Sequence, residues 1–424
     1  MLNIFKIALR NLSRYKRRTI LVGLLIALGV VAVQVFVAAS GSYKTLIVSQ
    51  ITDAMLGHIQ IHKKGYLVSI ENVPMNQNIP QHGVATIEKI LKETPGVETF
   101  SMRIRLGGMI SNYTETTNLR LYGIDPVREY KTVPLLPKRI ISGSSDLPPG
   151  HILVPQMLAR GLNLKVGDPV VIIATNKDGS VNGKQFTVGG IVESAPGPGG
   201  RDGYIGIADA AEILRMEEPE VSEIAVRVKN FNNLKAVYAD LEKRLPRGTA
   251  GAGCAPIGTT IAGGGKGGLE IHSWEKLSPF ANIAKMIDLL TVFIKIMLIA
   301  IVLISVLDVM MMSVYERTRE IGTLAAIGTL PGKIVAMFVI EGGLLGLFGA
   351  IAGNILGFAG ILAIRATHYT FSFGMREGFV LDPSMRMGDV LFVSTVVVLI
   401  SILGSLQPAL KASRLEPIKA LKSV

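Results

Sequence analysis

Four long, predominantly apolar runs constrain this chain more than anything else in it: residues 19–39, 283–312, 334–364 and 389–406. Each reaches the roughly 18–20 residues that an α-helix needs to cross a bilayer. A soluble fold would have to bury all four at once. With 49% hydrophobic residues in total, the apolar content is concentrated in these runs, and four transmembrane helices follow.

Orientation follows from the basic residues. Residues 1–18 carry Lys6, Arg10, Arg14, Lys16, Arg17 and Arg18 with no acid, residues 313–333 net +1, and the tail from Pro408 nets +3. Together these segments hold +10 of the chain's +12, and four spans place all three on one side. By the positive-inside rule that side is the cytoplasm, with both termini in it. The same distribution argues against nucleic-acid binding, because the charge sits at membrane borders rather than on a recognition module. The first run is too long for a cleaved signal peptide, whose apolar stretch is about 7–15 residues. Cys254 is the only cysteine, so no disulfide forms within the chain.

Three regions result: residues 1–40, an N-terminal cytoplasmic segment and the first span; 41–282, an extracytoplasmic domain; and 283–424, the remaining spans and the tail. The fold class is an α-helical membrane protein with four transmembrane helices and a large α/β domain inserted between helices one and two. Within that domain "GVATIEKILKETPGVETF" (83–100) reads as an amphipathic helix stopped by Pro95-Gly96 and followed by a strand. "TNLRLYGI" (117–124) alternates as a half-buried strand. "DPVVIIATNKDGSVNGKQFTVGGIV" (168–192) reads as two strands about a polar turn. "SEIAVRVKN" (222–230) is a further strand and "NLKAVYADLEKRLP" (233–246) a helix. Two βα units flanking a strand-rich middle are expected, rather than one continuous sheet.

Glycine-rich stretches at 195–206 and 247–268 read as surface loops. The second is not a phosphate loop: Lys266 is followed by Gly267, and Thr260 stands where that motif needs its first glycine. In the third run, Gly342, Gly346, Gly349, Gly353, Gly357 and Gly360 fall on one helical face. Such a stripe lets another helix approach closely, within the chain or from a second subunit. The second run is about 30 residues, so it tilts or extends beyond the hydrocarbon. Its Lys295 and Asp308 lie on different faces and read as snorkelling side chains near the two membrane borders.

No catalytic set emerges. The six histidines are scattered, no serine sits in a nucleophile elbow, and no carboxylate pair is framed for acid–base work. His58 and His62 share a strand face, but two ligands without a third make a poor metal site, and a solvated face is expected.

The charges gather instead in "SVYERTREIGTLAAIGTLPGK" (313–333), where Glu316, Arg317, Arg319 and Glu320 precede Ile321, Leu324, Ala325 and Gly328 at helical spacing. An amphipathic helix here either lies in the membrane interface or fills a groove on a soluble partner.

"MMMSVYERTREIGTLAAIG" (310–328) resembles the signature of the MacB/FtsX-like ABC transporter permeases. "ALRNLSRYKRRT" (8–19), "EGGLLGLFGAIAGNILG" (341–357) and "QPALKASRLEPIKAL" (407–421) resemble the family's N-terminal amphipathic helix, third span and closing motif. "GHIQIHKKGY" (57–66) and "SWEKLSPF" (273–280) are similar to its lipoprotein-releasing LolC/LolE branch. The resemblance implies a coupling helix docked on an ATPase through Glu316, Arg317, Arg319, Glu320, Ile321, Gly322, Leu324, Ala325 and Gly328. It implies two copies of a separate ABC ATPase that uses ATP and Mg, so that this chain binds no cofactor and no metal and hydrolyses nothing. A second permease subunit, identical or homologous, is implied too, in a bacterial inner membrane. A lipoprotein or lipid substrate would pass along helix one at Val30, Val33 and Val37, on its way to a periplasmic chaperone or adaptor. One departure argues against direct chaperone capture: the hairpin "NKDGSVNGK" (176–184) is short and has no proline, where the LolC type has a long, proline-containing one. A macrolide- or peptide-exporting relative and an FtsX-like signalling protein are the rival readings.

Overall fold

The computed structural model describes residues 2–72, 74–194, 200–218, 220–245, 268–278, 281–367, 370–373, 376–380 and 382–415. Residues 195–199 of the first glycine-rich stretch, nearly all of the second, Cys254, His368 and residues 416–421 of the closing motif lie outside them. The chain divides into two compact units.

The first unit is helical. α1 (Leu2–Arg14) is followed at once by α2 (Lys16–Ile51), whose last turns, from Leu46, and the π-helical turn after it, Thr52–Leu56, belong to the second unit. The other long helices are α9 (Ala281–Glu316), α11 (Pro331–Ala366) and α12 (Met387–Ser413), with the short α10 (Thr318–Ala326) between α9 and α11. Four of these are long and apolar enough to cross a membrane. Each overruns its apolar run in sequence. At 1.5 Å per residue a 36-residue helix such as α9 spans about 54 Å, well beyond a hydrocarbon core of about 30 Å.

The glycine stripe of α11 divides its work between two neighbours. Gly342 and Gly346 lie against Ser405 and Ser401 of α12, while Gly349, Gly353 and Gly357 lie against Ile26, Val30 and Gln34 of α2. A Cβ at Gly353 would stand 2.6 Å from the Val30 Cβ, so only glycine admits this approach. In lipid, where burying apolar surface brings no hydrophobic gain, such contact supplies the attraction. Polar cross-links add to it: the Gln34 amide donates to Asn354 Oδ1, and Asn354 Nδ2 donates to Ser394 Oγ at 2.9 Å.

The second unit holds a single ten-stranded sheet, not the separated βα units expected from the sequence. Its strands are β1 (Ile59–Lys63), β2 (Val97–Ser111), β3 (Thr116–Ile124), β4 (Ile140–Gly143), β5 (His151–Pro155), β6 (Pro169–Thr175), β7 (Val181–Val192), β8 (Asp202–Gly206), β9 (Glu223–Val228) and β10 (Leu269–Ser273). The order is β10-β1-β9-β2-β3-β8-β5-β7-β4, with β6 paired to β2 and β7. β2 is the reason the sheet is continuous. Its first half pairs with β9 and its second half with β6, while β3 runs along it from Arg103 to Ser111. Short helices complete the unit: α3 (Gln81–Glu93), α4 (Pro126–Thr132), α5 (Gln156–Gly161), α6 (Ile207–Ile213), α7 (Leu234–Arg244) and α8 (Trp274–Leu277). A two-stranded hairpin, β11 (Thr370–Phe373) and β12 (Arg376–Val380), lies between α11 and α12 in sequence.

Alternation along β2 sends Ile104, Leu106 and Ile110 into an apolar core with Leu119, Leu121 and Phe186. It sends Arg103 and Arg105 to the other face, where they are also buried. Arg103 Nη2 meets Glu129 of α4 at 2.6 Å and its Nη1 meets Glu223 at 2.9 Å. His58 and His62 are buried as well, which corrects the expectation of a solvated face. The His62 ring stacks on Tyr66 at 5.0 Å. Histidine and arginine in an alternating strand read as an outward face, but here a second layer covers them.

Candidate functional site: the connection between α9 and α11

α9 ends at Glu316, and Arg317 leaves the helical conformation (φ −107, ψ 14) before α10 begins. That break swings the arginine inward. Its side chain is only 4% exposed; Nη1 meets Glu341 Oε2 and Nε meets Glu320 Oε2, each at 3.1 Å. Its guanidinium carbon also stands 5.5 Å from the centre of the Phe338 ring and 5.9 Å from that of Tyr15. Tyr15, at the break between α1 and α2, donates its hydroxyl to Glu320 Oε1 at 3.4 Å. A carboxylate as buried as Glu341, within an apolar helix, needs such a counter-charge. Removing one partner of a buried pair costs about 3–5 kcal/mol, because the other buried charge loses that compensation. The arginine therefore fastens α10 to α11 and to the α1–α2 junction.

The apolar side of α10 is divided. Ile321 is buried with Val314, Ile334, Met337, Phe338, Ala409 and Ala412, and Ala325 packs partly against the same group. Gly322 is buried too. Leu324, Ile327 and Leu330 face outward, at 37%, 78% and 63% exposure. Arg319 and Glu316 are exposed beside them. Gly328 (φ +92) ends the helix: its N–H bonds to Ala325 and that of Thr329 to Leu324, both at 3.0 Å. This is the Schellman pattern, which requires a left-handed residue. Nothing stands within 4 Å of a Cβ built there, so conformation alone demands the glycine within this chain.

Several sequence expectations change accordingly. Arg317, expected among the residues that dock on an ATPase, is instead buried in the chain's own ion pairs with Glu320 and Glu341. Ile321 and Gly322 cannot meet a partner, because they face the chain's own core. The outward ridge instead gains Ile327 and Leu330, which helical spacing counted from Ile321 passes over. Glu341 was missed as well, although it is the single acid in the third apolar run and could have been found on that ground. Of the three valines of helix one, Val30 is fully buried against α11 and offers no surface to a substrate. Val33 lines a narrow apolar crevice, and Val37 is half-buried. No group of three or more potential metal-ligating side chains occurs among the described residues.

A chain of four spans, a large mixed domain between the first two, and a clamped amphipathic connection between the second and third defines an ABC transporter permease of the MacB/FtsX type. Residues 19–244 match the family profile described as the MacB-like periplasmic core domain, and residues 292–417 that of the FtsX-like permease C-terminal region, so the chain belongs to this family of multi-pass membrane proteins. Among its relatives, the lipoprotein-releasing system transmembrane protein LolC of Neisseria meningitidis serogroup B is 23% identical over 339 residues, covering 74% of this chain and 75% of that protein. An ABC transporter permease of Methanocaldococcus jannaschii is 26% identical over 266 residues, covering 61% of this chain and 58% of that one. A macrolide export ATP-binding/permease protein MacB of Aeromonas hydrophila is 34% identical over 119 residues, 28% of this chain and 17% of that protein. The crystal structure of the periplasmic region of MacB from Actinobacillus actinomycetemcomitans aligns with a TM-score of 0.34 at 10% identity, covering 56% of this chain and 98% of that one.

Proposed function

We propose that this permease releases lipoproteins or similar lipid-linked substrates from the outer leaflet of a bacterial cytoplasmic membrane, driven by a separate ABC ATPase. The observation that carries the reading is the exposed apolar group of Leu324 on α10, Ile327 at its C-terminal cap and Leu330 in the turn that follows, beside a helix held from within by the Arg317–Glu341 pair. Exposed leucine and isoleucine on the cytoplasmic side gain about 1.5–3 kcal/mol each when covered, and a rigid backing passes on whatever push the partner delivers. Two ATPase copies, binding ATP and Mg, would press on α10 in this chain and in a second permease subunit, identical or homologous. The likeness to LolC over about three quarters of the chain supports lipoprotein as the cargo. The higher identity of MacB proteins over a shorter stretch favours, as second reading, an exporter working with a periplasmic adaptor.

The two readings part in a proteoliposome carrying this permease, its ATPase and either a triacylated lipoprotein or a macrolide. Lipoprotein release reads as ATP-dependent appearance of the protein in the soluble fraction. ATP-dependent macrolide transport without lipoprotein release would favour the second reading.

A further inference from the structure

In the mixed domain, β3 outruns its neighbour β8. The two pair only from Arg120 to Ile124, because β8 begins at Asp202, whereas β3 begins at Thr116. Residues 116–119 thus have β2 on one side and no strand on the other. The ladder fixes which groups this leaves open. The Asn112 N–H bonds to Glu115 O at 3.2 Å, and the register runs on unbroken through Ser111↔Thr116, Ile110↔Thr117 and Met109↔Asn118. Bonded and non-bonded positions alternate in an antiparallel pair. Thr117 therefore turns its N–H and C=O to β2, while Thr116 and Asn118 turn theirs away. Both residues are exposed, and neither backbone finds a hydrogen-bond partner on that side among the described residues.

Beside this open edge lies a hollow of about 490 Å³, with Thr116 and Thr117 on one side and Met157, Leu158 and Leu162 of α5 and its C-terminal cap on the other. Leu158 and Leu162 belong to the same apolar core as Leu119, so the hollow has a greasy floor. Asn112 holds its hairpin end in place: Nδ2 donates to Leu162 O at 2.9 Å, and Oδ1 accepts the Glu115 N–H at 2.7 Å. Two charges line the ends, Glu115 just before β3 and Arg201 just before β8. Both are exposed, and neither side chain has an ion-pair partner among the described residues.

We propose that this gap receives an extended peptide segment of a partner protein, added to the sheet along β3 in line with β8. Thr116 and Asn118 supply its main-chain hydrogen bonds, and its inward side chain is apolar, over Leu158 and Leu162. Its flanking residues are basic beside Glu115 and acidic beside Arg201. The open edge has room for a strand of about four residues at about 3.3 Å each. An acyl chain would leave the edge groups and both charges unanswered, whereas a polypeptide uses all of them. The site needs neither an ATPase nor a particular cargo, so its failure leaves the release reading as it stands.

The test uses the full-length permease in nanodiscs and two synthetic peptides of one composition. Each has a diazirine-leucine at its centre among threonines; one runs from Lys to Asp, the other from Asp to Lys. Adducts mapped by mass spectrometry should fall on Met157, Leu158 or Leu162. One peptide should be captured about fivefold better, as two exposed ion pairs allow, and which one it is gives the direction of the added strand. Glu115→Lys with Arg201→Glu should reverse the preference. Asn118→Pro removes an outward N–H without touching the β2 ladder and should lower capture roughly tenfold; the charge swap decides should that variant unfold. No adduct in the hollow, equal capture of both peptides, a preference unmoved by the charge swap, or full capture by a folded Asn118→Pro variant would overturn the proposal. Photo-methionine in place of Met157 reports any other occupant, and a phospholipid or second-permease adduct there instead of the peptide would overturn it too.

Discussion

The two units of this chain hold together by opposite means. In the mixed domain the large apolar side chains point in: Leu106, Ile110 and Phe186 are almost wholly buried under one face of the sheet. In the helical unit many of them point out. α9, among the most apolar helices, exposes Leu289, Phe293, Ile296, Ile301 and Ile304, and α11 meets its neighbours through glycines set against Ser401, Ser405 and Ile26 as well as through buried Phe338, Leu344 and Leu345. Water drives the first arrangement, whereas lipid makes apolar exposure cheap and leaves close packing and polar pairing to do the holding. Buried charge occurs in both units and is paired in the same way, Arg103 with Glu129 and Glu223, Arg317 with Glu341.

That contrast can be broken by substitution. The largest effects are expected at the two ion pairs and the sheet core. Arg317→Met should destabilise the helical unit by about 3–5 kcal/mol, since it takes the arginine counter-charge from the fully buried Glu341, and Arg317→Met with Glu341→Leu should recover most of the loss. Thermal unfolding in detergent reads both. Phe186→Ala should cost about 3–5 kcal/mol in the mixed domain, while Phe293→Ala, equally large and equally apolar, should change stability by under about 0.5 kcal/mol. Similar costs at Phe186 and Phe293 would contradict the inside-out comparison.

Gly353→Val sits next in size. Overpacking against Val30 should cost about 1–3 kcal/mol, and a Val30→Ala partner should restore part of it. A smaller, pH-dependent effect belongs to Glu223. Burial alone would raise its carboxyl, but the contact with His62 and the charge of Arg103 hold it at about 2 against an ordinary 4.5. A depressed acid contributes stability that is present above pH 4.5 and lost as the pH falls towards 2. Hydrogen exchange across β2 and β9 should therefore accelerate in that window, and Glu223→Gln should flatten the dependence.

The apolar runs made the four long helices legible, since nothing but a bilayer accommodates them. Charge at 1–18 and 313–333 predicts that both face the cytoplasm, so a Cys254→Ser background with single cysteines at Ser13, Ser180 or Thr329 should label from outside only at 180. Within α10, sequence spacing finds an apolar face but not which way it turns. The break at Arg317 sets that, and it sends Ile321 inward and Ile327 outward. The continuous sheet was hidden for a related reason: the strand after Pro95-Gly96 reads as short, whereas β2 runs for 15 residues and joins both halves. His58 and His62 looked like a wet face because alternation reports sidedness and says nothing of what covers a face.

The most direct measurement is the affinity of a detergent-solubilised or nanodisc-held permease for its ATPase, together with stimulated ATP hydrolysis, for Ile327→Asp beside Ile327→Leu. Ile327 makes no contribution to the chain's own core, so neither variant should alter folding. Covering one such side chain is worth about 1.5–3 kcal/mol, so Ile327→Asp should weaken binding roughly ten- to hundredfold and abolish stimulation. Ile327→Leu should remain near wild type. Undiminished binding and stimulation in Ile327→Asp would contradict the assignment of α10 as the surface on which the ATPase acts.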